Sequence, residues 1–352
     1  MSSKVGKELS LNSFNENLLS PIFTFFYTVL KRILITGING FLGRHLVDAL
    51  ITDLDNNSNQ PFSIVGIDNG ITSIEKIESD KVKLIEQDLI GFPFDTLGKF
   101  DLIIHMAGLA SPVHYMKSPL KTIDVHTVVT RSLLEMCRDW GSKFIFFSSS
   151  EIYGQPPSSC IPTPEEFNGN VSCQGPRSCY DESKRLGETL CYVYNKYYGI
   201  HTNIIRPFNI YGPGMSKYDC RMIPNMIRNF INNRPIEVFS TGKQTRTYCY
   251  YSDAIDGILK VIKSGSNGET YNIGNDNPEI SALDLINIFS SVIGEKLNYK
   301  LVEYPDTYPQ DEPSRRLPSI QKIKTELSYY PNISLEEGLL ETYKLVNADF
   351  KD

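Results

Sequence analysis

A doubly wound α/β domain on a parallel sheet, followed by a smaller mixed C-terminal lobe, is the fold class the sequence predicts. Three observations carry that expectation. Six short apolar runs alternate with longer helix-compatible stretches over residues 31–207. A glycine-rich turn follows the first run. After residue 207 the alternation breaks into shorter pieces punctuated by YGPGM, NNRPIE and FSTGKQ. With 352 residues, 41% of them hydrophobic, the chain can bury one large core or two smaller ones.

In chain order, residues 1–30 are an N-terminal extension, polar over 1–17. The apolar stretch LLSPIFTFFYTVL that follows contains Pro21 and falls short of the roughly 20 residues a bilayer span requires. It has neither a basic leader nor a small-residue cleavage site, so the expectation is a helix packed on the domain and no membrane partner. KRILITG (31–37), FSIVGID (62–68), KVKLIEQD (81–88), DLIIH (101–105), KFIFFSS (143–149) and HTNIIRP (201–207) each read as a strand buried on both faces, the pattern of a parallel sheet. Helix-compatible segments lie near 42–52, 118–139 and 179–198. Residues 31–207 then form a nucleotide-binding domain and 208–352 mainly a substrate-binding lobe, with segments near 240–255 as candidates to return to the first domain. The substrate is expected in the cleft between the two.

Composition narrows the function. A net charge of −6 gives no basic field for a phosphate backbone, so no nucleic-acid partner is expected. Seven cysteines, an odd number without C-x-x-C spacing, and five histidines argue against a disulfide framework and a metal site. They fit a reducing cytoplasm.

The first chemical motif is GINGFLG, which sets Gly37, Gly40 and Gly43 between the first strand and the first helix. Glycine lets the backbone turn tightly and approach a pyrophosphate, whose charge is met by amides at the helix N-terminus. Asp68 ends the second strand, where an acid accepts both ribose hydroxyls and repels a 2′-phosphate, favouring NAD over NADP. The expected cofactor site of this Rossmann-type domain comprises Gly37, Asn39, Gly40, Phe41, Leu42, Gly43, Asp68, Asn69, Leu89, Met106, Ala107, Tyr180 and Lys184. Asp88 is either an adenine contact or a plain strand-end acid. The second motif, SCYDESKRLGE, spaces Tyr180 and Lys184 four apart on one helical face. A tyrosine of ordinary pKa about 10 becomes a base only beside a cation, here Lys184 and the nicotinamide charge. Ser149, at the end of the fifth strand, is placed to bond the same substrate hydroxyl.

Taken together, the G-x-x-G-x-x-G turn, the serine and Tyr-x-x-x-Lys resemble, in order, the extended short-chain dehydrogenase/reductase superfamily, over nearly everything after residue 30. Within it, HMAGLASPVHYM (105–116), SSSEIYG (148–154), CYDESKRLGETLCYVY (179–194), RPFNIYGPGM (206–215) and KQTRTYCYYSD (243–253) resemble UDP-glucuronate decarboxylases. The resemblance implies that Ser150 and Glu151 mark a decarboxylase. Epimerases carry small or neutral residues there, and glucose-nucleotide 4,6-dehydratases an Asp-Glu pair, although GDP-mannose 4,6-dehydratases share the Ser-Glu order. The bland alternative is that Glu151 caps a helix or pairs structurally. By family position Arg246 is the cation that acts with Ser150 and Glu151 on the substrate carboxylate. Arg221, Arg316 and Asn209 match diphosphate contacts, the asparagine alternatively touching the sugar. Phe239 stacks on uracil or packs in the core, and Tyr115 touches the sugar or is buried packing.

The implied function is NAD-dependent decarboxylation of UDP-glucuronate through a 4-keto intermediate to UDP-xylose or a UDP-4-keto-pentose. Alternatives are a nucleotide-sugar 4,6-dehydratase or 4-epimerase, and a non-catalytic nucleotide-binding sensor. The family also implies a homodimer pairing the helices near 118–139 and 179–198. Three positions depart from its pattern: His126 where related proteins carry asparagine, Gly214 in place of arginine, and Ser319 in place of aspartate. The aperiodic stretch 154–178 is expected as a lid or loop beside the cleft.

Overall fold

The computed structural model describes residues 30–58, 60–72, 75–304 and 313–351. The helix expected over 18–30 therefore lies outside the described residues, apart from Leu30, which is buried.

Each apolar run forms a strand: β1 (Arg32–Thr36), β2 (Ser63–Asp68), β3 (Val82–Glu86), β4 (Leu102–His105), β5 (Lys143–Phe147) and β6 (Thr202–Pro207). They line up as β3-β2-β1-β4-β5-β6, and a further strand, β11 (Thr270–Ile273), completes the far edge beside β6. Every pairing in this seven-stranded sheet is parallel. β3 departs from the expected burial on both faces, because it is an edge strand and exposes Lys83 and Glu86 to water.

Side chains of a strand alternate between faces, so each strand feeds two cores. Ile35, Ile104 and Ile145 pack against Leu46 and Leu50 of α1 (Phe41–Asn57) and Ile258 and Ile262 of α7 (Tyr251–Ser264). Leu34, Ile103 and Phe144 face the other way, onto Leu133 and Leu134 of α4 (Thr130–Trp140) and Cys191 of α5 (Ser178–Tyr198). Ahead of α4 run α2 (Pro112–Lys117) and α3 (Pro119–Asp124), and a π-helical turn, Val125–Val129, joins α3 to α4. The chain comes back to the large sheet through α7 and β11, whereas β9 (Thr245–Arg246) and β10 (Cys249–Tyr250) pair outside it.

The second lobe has its own core, in which Met226 and Ile227 of α6 (Met222–Ile231), Val238 of β8 (Ile236–Phe239) and Leu285 and Phe289 of α8 (Ala282–Ile293) pack on Leu339 of α10 (Leu335–Val346). Ser281 and Asp284 close a reciprocal capping box on α8, and Ser334 and Glu337 do so on α10. Each cap contributes about 0.5–2 kcal/mol. β9 pairs antiparallel with β12 (Ile280–Ser281) and parallel with β14 (Arg315–Arg316), which sets Arg246 directly beside Arg316. Strand order reverses between β1 and β4, so the crevice opens at their carboxyl ends, under the second lobe.

Candidate active site

A cavity of about 540 Å³ occupies that crevice. Its wall takes Gly37 and residues 40–43 from the turn after β1, Met106 and Gly108 from the end of β4, and residues 147–151 from the end of β5. Tyr180 and Lys184 of α5 close one side, and Asn209, Arg221, Phe239 and Arg246 come from the second lobe. Residues from both expected sets thus share one space, although Asn39, Asp68, Asn69, Tyr115 and Arg316 are not on its wall.

The dinucleotide side is built by absent side chains. Gly37 holds φ +72, and a Cβ there would lie 2.7 Å from the Ala107 Cα. A Cβ on Gly43 would lie 2.5 Å from the Gly37 carbonyl oxygen. Gly40 is the N-cap of α1 and offers no capping side chain, so the helix presents bare amides and its positive end to the cavity. Asp68 closes β2, its two carboxylate oxygens accepting the Asn39 and Gly70 N–H groups at 3.0 and 2.8 Å. A cradle that any Cβ would fill, with a fixed acid at the next strand end, fits NAD. Asn69 accepts the Ile71 N–H, and Ile71 is on the cavity wall. Asp88 is engaged by Lys121 at 2.9 Å, Leu89 is buried in the sheet's second core, and the Ala107 N–H donates to Thr36 Oγ1 at 3.3 Å; none of these three is found on the wall.

The chemical side centres on Tyr180, 4% exposed and stacked on the Tyr115 ring at 5.1 Å. Tyr115 therefore backs the tyrosine rather than lining the cavity. Burial raises the Tyr180 pKa, opposed by a hydrogen bond with Ser149 and by the charges of Arg221 and Arg177. Lys184, expected as the activating cation, sits 5.9 Å from the ring centre and donates to the Phe147 carbonyl at 2.6 Å. Burial pulls its own pKa down to about 7, since a desolvated ammonium is disfavoured. The protein alone thus favours a neutral phenol, and the arginines are the side-chain charges that work the other way.

Glu151 caps nothing. Ser149 is the cap of the short 3₁₀ turn Ser150–Tyr153, accepting the Glu151 N–H at 3.2 Å, and the Glu151 carboxylate is gripped by Arg177 and Arg316. Both arginines are buried, and Arg177 also reaches Asp181 at 3.3 Å. Ser150 is buried beside it. Arg316, expected on a diphosphate, is instead a partner of Glu151 and does not appear on the cavity wall. Its Nη2 is buried without a hydrogen-bond partner among the described residues.

Arg246, 8% exposed, is anchored through Nη1 to the Thr245 carbonyl at 2.8 Å and through Nη2 to that of Pro313 at 2.6 Å. Arg221 forks onto the buried Asp219, its Nε 3.0 and 2.9 Å from the two oxygens. Asn209, at φ +43, donates to the Thr247 carbonyl at 2.9 Å. Phe239 lies 5.2 Å from the Tyr304 ring, and both line the cavity.

The stretch 154–178 is an irregular loop, as one of the two expectations had it, tethered to the rest of the domain. Gly154 bridges Asn170, Glu165 accepts the Asn272 N–H at 2.9 Å, and Arg206 donates to the Glu165 carbonyl at 2.8 Å. Among the described residues, none from 155 to 179 is found on the cavity wall. What the stretch delivers is Arg177, a residue the sequence reading passed over although it stands three before Tyr180. His114, Gly108 and Tyr304 also went unremarked and line the cavity; His114 lies inside the block 105–116, which was the available signal.

A model described as the NAD dependent epimerase/dehydratase family matches residues 33–274. The chain is 36% identical over 325 residues to UDP-glucuronic acid decarboxylase 3 of Arabidopsis thaliana, covering 91% of this chain and 89% of that protein. It is 34% identical over 317 residues to UDP-glucuronic acid decarboxylase 1 of Xenopus tropicalis, covering 89% and 71%. Among solved structures it is similar to UDP-glucuronic acid 4-epimerase of Bacillus cereus in complex with UDP-glucuronic acid and NAD, with TM-score 0.75, 28% identity and coverage of 90% and 99%.

Proposed function

This chain belongs to the NAD dependent epimerase/dehydratase family, and we propose that it decarboxylates UDP-glucuronate to UDP-xylose or to the UDP-4-keto-pentose. The observation that carries the reading is Glu151: an acid held on the cavity wall by two buried arginines, next to Ser149 and Tyr180. The relatives that are about 35% identical, named as UDP-glucuronic acid decarboxylases, support it.

The Gly37–Gly43 turn and Asp68 would hold NAD, which would supply the hydride acceptor for sugar carbon 4 and, where UDP-xylose is the product, the source of the hydride returned to it. Tyr180 Oη takes the proton of the 4-hydroxyl, with Ser149 orienting that hydroxyl. The 4-ketone makes the carboxylate on carbon 5 a β-keto acid, so carbon dioxide leaves with its bonding electrons remaining as an enolate. Arg246 orients the carboxylate and stabilises the developing oxyanion. Ser150 and Glu151, the latter a carboxylate held by Arg177 and Arg316, then pass a proton taken from solvent to carbon 5. Arg221 and Asn209 offer donors to the diphosphate, and Phe239 with Tyr304 offers aromatic faces to uracil.

Mass spectrometry of the products tests this directly. UDP-glucuronate with NAD is expected to lose the mass of carbon dioxide, while UDP-glucose, dTDP-glucose and GDP-mannose stay intact. An unchanged mass with a new 4-hydroxyl configuration would make the protein an epimerase, the activity named for the similar structure. Loss of water from a neutral sugar nucleotide would make it a dehydratase.

We further propose a homodimer. Leu120, Ile123 and Val128 on one helical stretch and Leu186, Tyr192 and Tyr197 on α5 are exposed, and exposed apolar side chains on two neighbouring helices suit an interface. A second copy pairing the same helices would cover it. Light scattering at micromolar concentration is expected to return twice the chain mass; a monomer would overturn the assignment. No described helix is long and apolar enough to cross a membrane, and seven thiols, none bonded to another, suit a cytoplasmic setting.

A further inference from the structure

We propose that Gln155 is a positioning residue for Arg246, acting through the single peptide group that joins Pro313 to Ser314. What Arg246 does for the substrate carboxylate rests on the decarboxylase reading, whereas the contacts that hold it do not. Gln155 stands four residues after Glu151, at the start of the irregular loop, and is exposed and off the cavity wall. Its backbone is fixed by Asn170: the Gln155 N–H donates to the Asn170 carbonyl at 3.3 Å, and Asn170 Nδ2 donates to the Gln155 carbonyl at 3.4 Å. Gly154, at φ +58, lets the two chains approach, since a Cβ there would collide with the Asn170 carbonyl.

With its backbone fixed, the Gln155 amide forks onto Ser314. Oε1 accepts the Ser314 N–H at 2.8 Å, and Nε2 donates to Ser314 Oγ at 3.1 Å. A backbone N–H can only donate, so the amide atom facing it is the oxygen. Ser314 immediately precedes β14 and, two residues before Arg316, points to the same side of the extended chain. The turn after β5 thus grips this strand twice, through Glu151 on Arg316 and through Gln155 on Ser314. Arg315, between them, points the other way and is forked onto Glu279 at 2.8 and 2.7 Å.

One peptide group carries this grip to the cavity. The Pro313 carbonyl accepts Arg246 Nη2 at 2.6 Å, and the Ser314 N–H that Gln155 holds belongs to the same trans peptide. Such a group is planar with its N–H and C=O opposed, so fixing the N–H fixes the direction in which the carbonyl receives Arg246. Hydrogen bonds at the two ends of one amide also strengthen each other. Arg246 Nη1 leans on the Thr245 and Ser314 carbonyls at 2.8 and 3.3 Å, so both ends of its fork depend on residues 313 and 314. β14 itself has only two residues, too short a ladder to hold that segment alone. A guanidinium selects a carboxylate by the orientation of its fork, and a 313–314 peptide free to rotate would let the fork turn with it. Gln155 and Ser314 are both exposed, so substitution here leaves the buried cores intact.

Two variants test this: Gln155→Met, which keeps the side-chain length without the amide oxygen, and Gln155→Glu, which keeps the acceptor. In the arginine side-chain ¹⁵N spectrum of the full chain without sugar nucleotide, Arg246 is assigned through Arg246→Lys. Solvent exchange of its Nη protons is expected to quicken about tenfold in Gln155→Met, the scale of one hydrogen bond, and to stay unchanged in Gln155→Glu. Unchanged exchange in Gln155→Met overturns the inference, whatever reaction the protein performs. In a single turnover of UDP-glucuronate with NAD, Gln155→Met is expected to slow carbon dioxide release about tenfold while cofactor reduction keeps its rate, and Gln155→Glu to restore the release. Equal slowing of both steps, or a loss that Gln155→Glu fails to restore, would mean general loosening and overturn it as well. An unmodified chain that leaves UDP-glucuronate intact overturns the decarboxylase reading instead, and the exchange measurement still decides whether Gln155 holds Arg246.

Discussion

Replacing Tyr180 by phenylalanine is expected to lower UDP-glucuronate turnover by about 10³-fold, the scale of one general base, while NAD binding and the folded state are retained. The ring carries the packing, stacked on Tyr115 at 5.1 Å and edge-on to His126 at 5.3 Å, and phenylalanine keeps both contacts. What it removes is a hydroxyl bonded to Ser149, which sits on the cavity wall with water and substrate as alternative partners. Calorimetric titration with NAD and a turnover assay on the same preparation separate the two effects. Residual turnover within a factor of about ten of the unmodified protein would place the base elsewhere, because one lost hydrogen bond accounts for only about that factor. If the sugar nucleotide product proved dispensable to the protein's biological role in this variant, the nucleotide-binding sensor would become the better reading.

The large sheet was legible because a strand buried between two helical layers must be apolar throughout. Ile33, Leu34 and Ile35 declare β1 whichever way they face. β11 was not, since TYNI interleaves polar Thr270 and Asn272 with Tyr271 and Ile273. Asn272 is there to donate to the Thr163 and Ser319 carbonyls, a long-range duty no local pattern can show. The short strands β9, β12 and β14 have only two residues each, too few for any period to register. In the site, the residues brought onto the cavity wall by fixed local spacing were readable: the glycines of one turn, and Tyr180 with Lys184 on one helix. Residues that act by gripping another side chain were not. Arg316 is 165 positions from Glu151, and its role depends on β14 joining β9. Arg177 hid in an aperiodic stretch whose order comes from contacts with β6 and β11.

Arg177 supplies the other large effect. Arg177→Met is expected to destabilise the fold by about 3–5 kcal/mol, the cost of leaving a buried charge without its partner. The Arg177 side chain is 5% exposed, and the carboxylates it meets, on Glu151 and Asp181, are 22% and 7% exposed. Arg316 still holds Glu151, so the greater share of the loss falls on Asp181, and Arg177→Met combined with Asp181→Asn should recover much of it. Urea midpoints of the two single variants and the double variant give the coupling. A single variant within about 0.5 kcal/mol of the unmodified protein, the range of surface changes, would show that the pair is relaxed by water and does not constrain the site. Catalysis should report the same contact in a second way. Arg177 is one of the charges that lower the Tyr180 pKa, so removing it raises that pKa and moves the acid limb of the pH profile to higher pH, where the phenolate forms. A change that only loosens Glu151 would leave that limb where it was: carbon dioxide release would slow while cofactor reduction kept its original pH profile. One arginine thus acts on both residues of the proposed chemistry, lowering the Tyr180 pKa and holding the Glu151 carboxylate, and the two readouts separate its duties.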